Sequence, residues 1–337
     1  MASRSISQIF AFTALLCANV CLADRLQLGG SELESITLDK QALYPEGLAF
    51  NPLNGRFLVG SFREGAVYEV APNGKLKILI NDARLNSILG IRVDVKRDRL
   101  IVANSDIGAS IRPYMQGPLK LASVGIYSLS SGELIHFVNL GELKPDEKHL
   151  ANDIAVDPDG NAYITDSLAS VIYKVDTQGK PSIFLESTKF TGKGIGLNGI
   201  VYHPGGYLIV AKKNDGVLFK IPVSKPEQFK EISLPRKLHA ADGLILVSDT
   251  RLVVVTNRVN GIVSDTVFAL ESSDRWDSAR ITGEYSLGDV YPTTGVARDG
   301  KIYVLHSKLN VLIQAPKSEK RTLAEKAVIQ QVGHIEP

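Results

Sequence analysis

The chain has 337 residues, 44% of them hydrophobic and 22% charged, a composition that supports a sizeable folded core. Its 38 basic and 36 acidic residues leave a formal charge of only +2, and "KSEKR" near the C-terminus is the longest basic cluster. That balance gives no electrostatic reason to expect nucleic acid or an anionic membrane as a partner.

Along the chain, "MASRS" supplies one positive charge, and the apolar run "IFAFTALLCANVCLA" ends on the small residues Cys21 and Ala23. The pattern is that of a secretory signal peptide over residues 1–23, with residues 24–337 as one mature domain in the secretory pathway or outside the cell. An N-terminal membrane anchor is the alternative, but the run is short of the ~20 apolar residues that a bilayer requires. Both cysteines, Cys17 and Cys21, lie in this segment. The mature chain is therefore expected to carry no disulfide, thiolate metal site or cysteine nucleophile. It also has no Asn-x-Ser/Thr sequon.

Next comes "ESITL" near residue 34, a short β-type segment expected to pair into the last repeat of the chain. Six related segments follow: "PEGLAFNPLNGRFLVGS" from Pro45, "LGIRVDVKRDRLIVANS" from Leu89, "NDIAVDPDGNAYITDS" from Asn152, "NGIVYHPGGYLIVAKK" from Asn198, "DGLILVSDTRLVVVTN" from Asp242 and "TGVARDGKIYVLHS" from Thr294. Each is an alternating apolar run, a turn rich in Gly, Asp, Asn or Pro, and a second β-branched run, which is a hairpin pattern. Additional strand-like stretches such as "GAVYEVAPNGKLKILI" and "SVIYKVDTQGKPSIFL" bring most units to about four strands. Lead positions 46, 89, 152, 198, 242 and 294 are separated by 43, 63, 46, 44 and 52 residues. This spacing and content predict an all-β fold, a six-bladed β-propeller of four-stranded antiparallel blades around a central tunnel. A pair of β-sandwiches would not need the same polar-Gly-apolar lead in most units, and a solenoid repeat would be shorter. The long second interval holds "SDIGASIRPYMQGPLKLA", expected to lie over one face as a flap. Near the end, "KRTLAEKAVIQQ" is the one stretch whose periodicity does not separate helix from strand.

In a propeller the first strand of each blade lines the tunnel, so the leads converge on the axis. Here they read Glu46, Leu89, Asn152, Asn198, Asp242 and Thr294. Carboxylates confined together must be neutralised or take up protons. A hard cation such as calcium accepts carboxylate, carboxamide and water oxygens without strict geometry, which fits Glu46, Asn152, Asn198 and Asp242 as ligands. Zinc suits the set less well, since no thiolate or histidine belongs to it. Ordinary turn chemistry accounts for an Asn or Asp before Gly at any single blade. Glu46 is not a turn-former, however, and the same register recurs in separate units.

The motifs "PEGLAF", "NDIAVDPDGNAYITDS", "LNGIVYHPGGYLIVA" and "ADGLILVSD" carry a resemblance over residues 40–315 to the senescence-marker-protein/gluconolactonase family. That family lies within the calcium-dependent six-bladed propellers that include diisopropyl-fluorophosphatase and the paraoxonases. The resemblance implies that Glu46, Asn198 and Asp242 bind a catalytic Ca2+, with Asn152 and Asp153 facing metal or substrate. It further implies hydrolysis of a small lactone, ester or phosphotriester, with Asp242 activating a water or attacking directly. Strictosidine-synthase-like proteins share the architecture with different chemistry, so an isomerase or cyclase, or a calcium-stabilised binding propeller, remains an alternative.

The ends of the second strands, Ser61, Asn104, Asp166, Lys212, Asn257 and His306, should flank the pocket. Lys212 or Lys213 would suit an acidic substrate, and His306 is the candidate acid/base. His136, His149, His203 and His239 read as surface or turn residues, and the single tryptophan, Trp276, as packing. The expected partner is a small molecule, with no nucleic acid, no membrane after signal cleavage, and a monomeric state.

Overall fold

A computed structural model describes residues 33–113, 117–316, 318–320 and 322–333. The expected signal peptide, residues 1–23, lies outside the described residues. The strands fall into six separate four-stranded antiparallel sheets. Blade 1 holds Pro45–Asn51, Arg56–Ser61, Val67–Val70 and Leu76–Ile80; blade 2 holds Ser87–Asp94, Arg99–Ser105, Ala122–Ser128 and Leu134–Asn139. Blade 3 holds Ala151–Val156, Ala162–Asp166, Val171–Val175 and Pro181–Glu186, and blade 4 holds Leu197–His203, Tyr207–Lys212, Val217–Pro222 and Lys230–Glu231. Blade 5 is built from Ala241–Ser248, Arg251–Val259, Ile262–Glu271 and Arg280–Ser286. The inner strand of each blade touches those of its two neighbours, so the sheets close into a ring. This is a six-bladed β-propeller.

Blade 6 joins the two ends of the chain. Pro292–Arg298, Lys301–His306 and Val328–Gln331 come from the C-terminal side, and Ser35–Thr37 adds the outermost strand. Ile36 pairs with Ile329, the Glu34 carboxylate accepts from the Tyr303 hydroxyl at 2.6 Å, and Ile36 and Leu38 are buried. The "ESITL" segment thus closes the ring as its pattern suggested. The ambiguous C-terminal stretch resolves as the strand Val328–Gln331, while a helix that periodicity did not reveal forms at Leu309–Gln314.

Alternation of apolar and polar residues fills the spaces between blades. Blades 2 and 3 meet through Ile101, Val124, Ile164 and Tyr173, blades 4 and 5 through Ile209, Leu218, Val254 and Phe268, and blades 6 and 1 through Tyr303, Leu305, Val59 and Tyr68. Trp276 is fully buried in the second of these clusters, with its indole N–H donating to the Asp249 carbonyl at 2.8 Å. Packing, the expected role, is the one it has. Buried aromatic and branched side chains at every blade interface, rather than disulfides, hold the ring shut.

A further apolar cluster lies at the end of the tunnel where the inner strands begin. It collects Tyr44, Leu89 and Leu150 ahead of or at three inner strands, Phe62 after a second strand, and Leu309 and Leu312 from the helix. Ala109 joins it and Ile107 packs against it, so part of the long insertion does lie over this face.

Candidate functional site at the propeller axis

All six inner strands break register at the same place. The ladder shifts between Pro45 and Gly47, Ile88 and Ile91, Ala151 and Ile154, Leu197 and Ile200, Ala241 and Leu244, and Pro292 and Gly295. Such bulges re-aim side chains. Here they bring Glu46, Asn152, Asp153, Asn198 and Asp242 to one cavity of about 120 Å3. Glu46, Asn152, Asn198 and Asp242 are each less than a tenth exposed. The cavity follows the inner strands away from the ring as far as Phe50, Val93 and Val296. In blade 6 the ladder makes Thr293, one residue ahead of the expected Thr294, the counterpart of Asn198. Its hydroxyl donates to the Glu46 carbonyl at 2.8 Å and stitches the last blade to the first.

The glycine after the lead has a packing cause rather than a turn cause. A Cβ on Gly47 would stand 2.2 Å from the Leu89 carbonyl oxygen, and one on Gly199 2.1 Å from that of Asp242. At these two positions the neighbouring inner strand approaches too closely for a side chain. Blade 3 carries Asp153 at the equivalent place, and its carboxylate accepts from the backbone N–H of Ile154 at 2.8 Å and of Ile200 at 3.2 Å. Burial nevertheless pushes the Asp153 carboxyl up, against the pull of the Arg92 guanidinium.

Charge is concentrated at this ring. Asp242 Oδ2 accepts from Lys213 Nζ at 2.8 Å and also from the Asn257 carboxamide, with both members of the ion pair 6% exposed at the side chain. The Glu46 carboxyl is driven well above the usual carboxylate range by burial and then by Asp242 and Asp153, with Lys213 opposing the shift. Burial pulls the Lys213 ammonium down, yet Asp242, Tyr291 and Glu46 together outweigh it and the net shift is upward. Asn152 donates to Ser167 Oγ at 2.9 Å, while its buried Oδ1 has no hydrogen-bond partner. A fully buried acceptor left unpaired is costly and points to a missing donor or cation.

Other expected residues sit elsewhere. Lys212 turns away from the axis and donates to the carbonyls of Lys189 at 2.9 Å and Thr191 at 2.6 Å, fastening a loop. Its neighbour Lys213 enters the site, as Asn257 does at the same position of blade 5. Asp166 binds His149 Nδ1 at 2.8 Å, and His149 Nε2 meets the Lys144 carbonyl at 2.9 Å. His149 is thus a buried structural residue, not a surface one, because its two ring nitrogens tie a loop to blade 3; His203 is likewise buried, stacked on Tyr207. Ser61 donates to the Leu43 carbonyl at 2.8 Å and Asn104 to Ser123 Oγ at 2.9 Å, both supporting strand ends. His306 does not line the axial cavity. Burial, and then Lys308, lower its pKa to about 4, and its Nε2 is unpartnered.

Sequence reasoning missed Tyr291. It precedes the inner strand of blade 6 at a left-handed φ of 48°, as Tyr44 does in blade 1 at 44°. Non-glycine residues held there store strain, and such residues gather at functional sites. Burial raises the Tyr291 pKa, with Lys213, Asp242 and Glu46 all close enough to act on it. The residue also borders a second cavity of about 330 Å3 between helix Leu309–Gln314 and the hairpin of blade 5, where Val259, Ile262, Val263 and Ile313 provide apolar walls. Arg258 Nε and Asn310 Oδ1 on that wall are buried without partners.

Fold and site together define a six-bladed propeller with a buried, carboxylate-bearing axial centre. No family model matches the chain, and no curated protein matches it in sequence. Among solved structures it is similar to the major allergen Mala s 1 of Malassezia sympodialis, with 15% identity, a TM-score of 0.69, and coverage of 90% of this chain and 97% of that one. It is also similar to a calcium-binding protein, regucalcin, from Agrobacterium tumefaciens, at 14% identity and a TM-score of 0.56 over 88% and 93% of the two chains. The virginiamycin B lyase of Staphylococcus aureus aligns at 11% identity and a TM-score of 0.54 over 90% and 99%. At these identities the likeness is one of fold, a fold that serves enzymes and calcium-binding proteins alike.

Proposed function

We propose that this protein is a secreted enzyme acting on a small organic molecule, a hydrolase of a lactone, ester or organophosphate that uses calcium at the propeller axis. The observation that carries the reading is the convergence of Glu46, Asn152, Asn198 and Asp242 on one buried cavity. Among the described residues no group of three His, Cys, Asp or Glu is placed to hold a metal, so an ion there would depend on the two carboxamides as well. The donor chemistry suits a hard cation: two carboxylates, an Asn152 Oδ1 with no partner, and Asn198. When bound, the ion would polarise a carbonyl or phosphoryl oxygen and stabilise the oxyanion formed on attack.

The chain's own residues do the rest. Lys213 and Asn257 both hold Oδ2 of Asp242, which fixes the carboxylate and leaves Oδ1 as the oxygen available for chemistry. At Oδ1 it accepts the proton of an attacking water, whose oxygen adds to the electrophilic carbon or phosphorus, and it returns that proton to the leaving oxygen as the bond to it breaks. Tyr291 feels the charges of this centre and also lines the larger cavity of mixed polar and apolar walls, which would take the organic body of the substrate.

A binding propeller without turnover is the second reading. It is favoured by the apolar cluster at the inner-strand end of the tunnel and by the ammonium already paired with Asp242. A panel of lactones, aryl esters and phosphotriesters, assayed with and without exhaustive chelation, separates the two. Turnover that chelation abolishes and calcium restores supports the hydrolase. Turnover that survives chelation removes the metal from the mechanism, and a silent panel favours binding.

A further inference from the structure

The ring of carboxylates already contains a cation. Lys213 comes from the end of blade 4, and its main chain is clamped between blades: its N–H donates to the Gly196 carbonyl at 2.9 Å, and its carbonyl accepts from the Ala240 N–H at 3.0 Å. The side chain is therefore delivered to the axis by a fixed backbone. Nζ reaches Asp242 Oδ2 at 2.8 Å in a pair that is almost completely shielded from water. A buried ammonium is tolerated only where charge and hydrogen bonding compensate its lost hydration. The hydrogen bond and the closest opposite charge both come from Asp242, a group that would otherwise bind a metal, and the fields of Tyr291 and Glu46 add to it.

Lys213 neutralises Asp242 in a ring that also holds Glu46 and Asp153, two carboxyl groups whose pKa burial raises. Removing the ammonium leaves the Asp242 carboxylate without its charged partner, the place that a bound cation would fill. Arg92 does not take over the role, because it points at the carbonyls of Ile154 and Ile200, at 2.8 and 3.4 Å.

We propose that Lys213 is the built-in counter-cation of the axial site: it holds the ring together in the absence of metal and sets the affinity for divalent ions by competing for Asp242. The competition half of this statement rests on the calcium reading above, whereas the counter-cation half does not. Lys213 is thus a specificity-determining residue, one that makes calcium an exchangeable ligand instead of a structural one.

The test uses the full chain with Lys213→Met, Asp242→Asn and the double variant, read by thermal melting and by calorimetric titration with calcium. The wild-type Tm should move by less than about 1 °C on chelation, because one internal charge replaces the ion. K213M should bind calcium at least ~10-fold more tightly than wild type, the order expected when a single competing charge worth ~1.4 kcal/mol is removed. Its Tm should fall without calcium and recover with it. In the D242N background the K213M loss should vanish, since the partner of the ammonium is gone. Should K213M not fold, Lys213→Ala is read in the same way, and a variant that folds only with calcium supports the proposal. Equal calcium affinity in wild type and K213M, with additive melting shifts, overturns it. Additive shifts alone defeat the counter-cation role. Strong coupling to Asp242 with no calcium bound by any variant upholds the counter-cation, overturns the competition and takes the calcium reading with it.

Discussion

At the level of single residues, the axial carboxylates are distinguished by what their oxygens touch. Asp242 is anchored on one oxygen by two donors, whereas the Glu46 carboxyl has no hydrogen-bond partner among the described residues and a strongly raised pKa. Asp242→Asn should therefore lower kcat by roughly 10^3-fold or more while KM changes only a few-fold, as measured by steady-state kinetics on whichever panel substrate turns over. Equal losses in both would assign Asp242 to binding. Glu46→Gln removes a buried ionisable group, and in calcium-free buffer at pH 8 it should melt roughly 2–4 °C above wild type, the shift worth ~1 kcal/mol in a large domain. A lower melting point would mean that Glu46 is ionised and favourably paired. For His306 the direction is set by burial. Its folded pKa of about 4 lies below the ordinary value of 6.5, so the unfolded chain binds the extra proton between those limits. Its contribution to stability is present above pH 6.5 and is lost as pH falls toward 4. Melting curves across that window should show a smaller decline for His306→Gln than for wild type.

At the level of the strand, the repeating hairpin made the six blades legible, because alternation and turn residues recur in every unit. The leads were legible for the same reason, and the ladder shows why a polar residue precedes glycine. The bulge aims the first residue at the axis, and the next residue meets a neighbouring backbone. Gly199→Ala, whose Cβ would lie 2.1 Å from the Asp242 carbonyl, should cost about 1–3 kcal/mol in denaturant unfolding and disturb the site as well. What the sequence concealed was parity at the second-strand ends. A shift of one residue moves a side chain to the opposite face, and Lys212 and Lys213 differ by that one step. In the ladder Lys212 matches Thr256, so Lys213 matches Asn257, and both of the latter reach Asp242. Aligning the second strands as strictly as the first would have picked out Lys213. Helix Leu309–Gln314 was hidden because six residues are too few to establish a 3.6-residue period.

At the level of the whole molecule, closure joins residues nearly three hundred positions apart. The short strand Ser35–Thr37 completes blade 6, and its buried Ile36 sits against Ile329. Ile36→Ala should cost about 2–4 kcal/mol, with the loss seen as a single shift of the entire unfolding transition, because opening one blade opens the ring. A local transition that spares the other blades would contradict cooperative closure. Closure also creates the functional centre, since no blade alone gathers more than a fraction of the axial oxygens. The measurement that tests this most directly is anomalous diffraction from crystals soaked in calcium, for wild type and K213M. The account predicts one peak on the axis bounded by Glu46, Asn152, Asn198 and Asp242, with higher occupancy in K213M at the same calcium concentration. An empty axis in both, or calcium bound only at surface carboxylates, would contradict it.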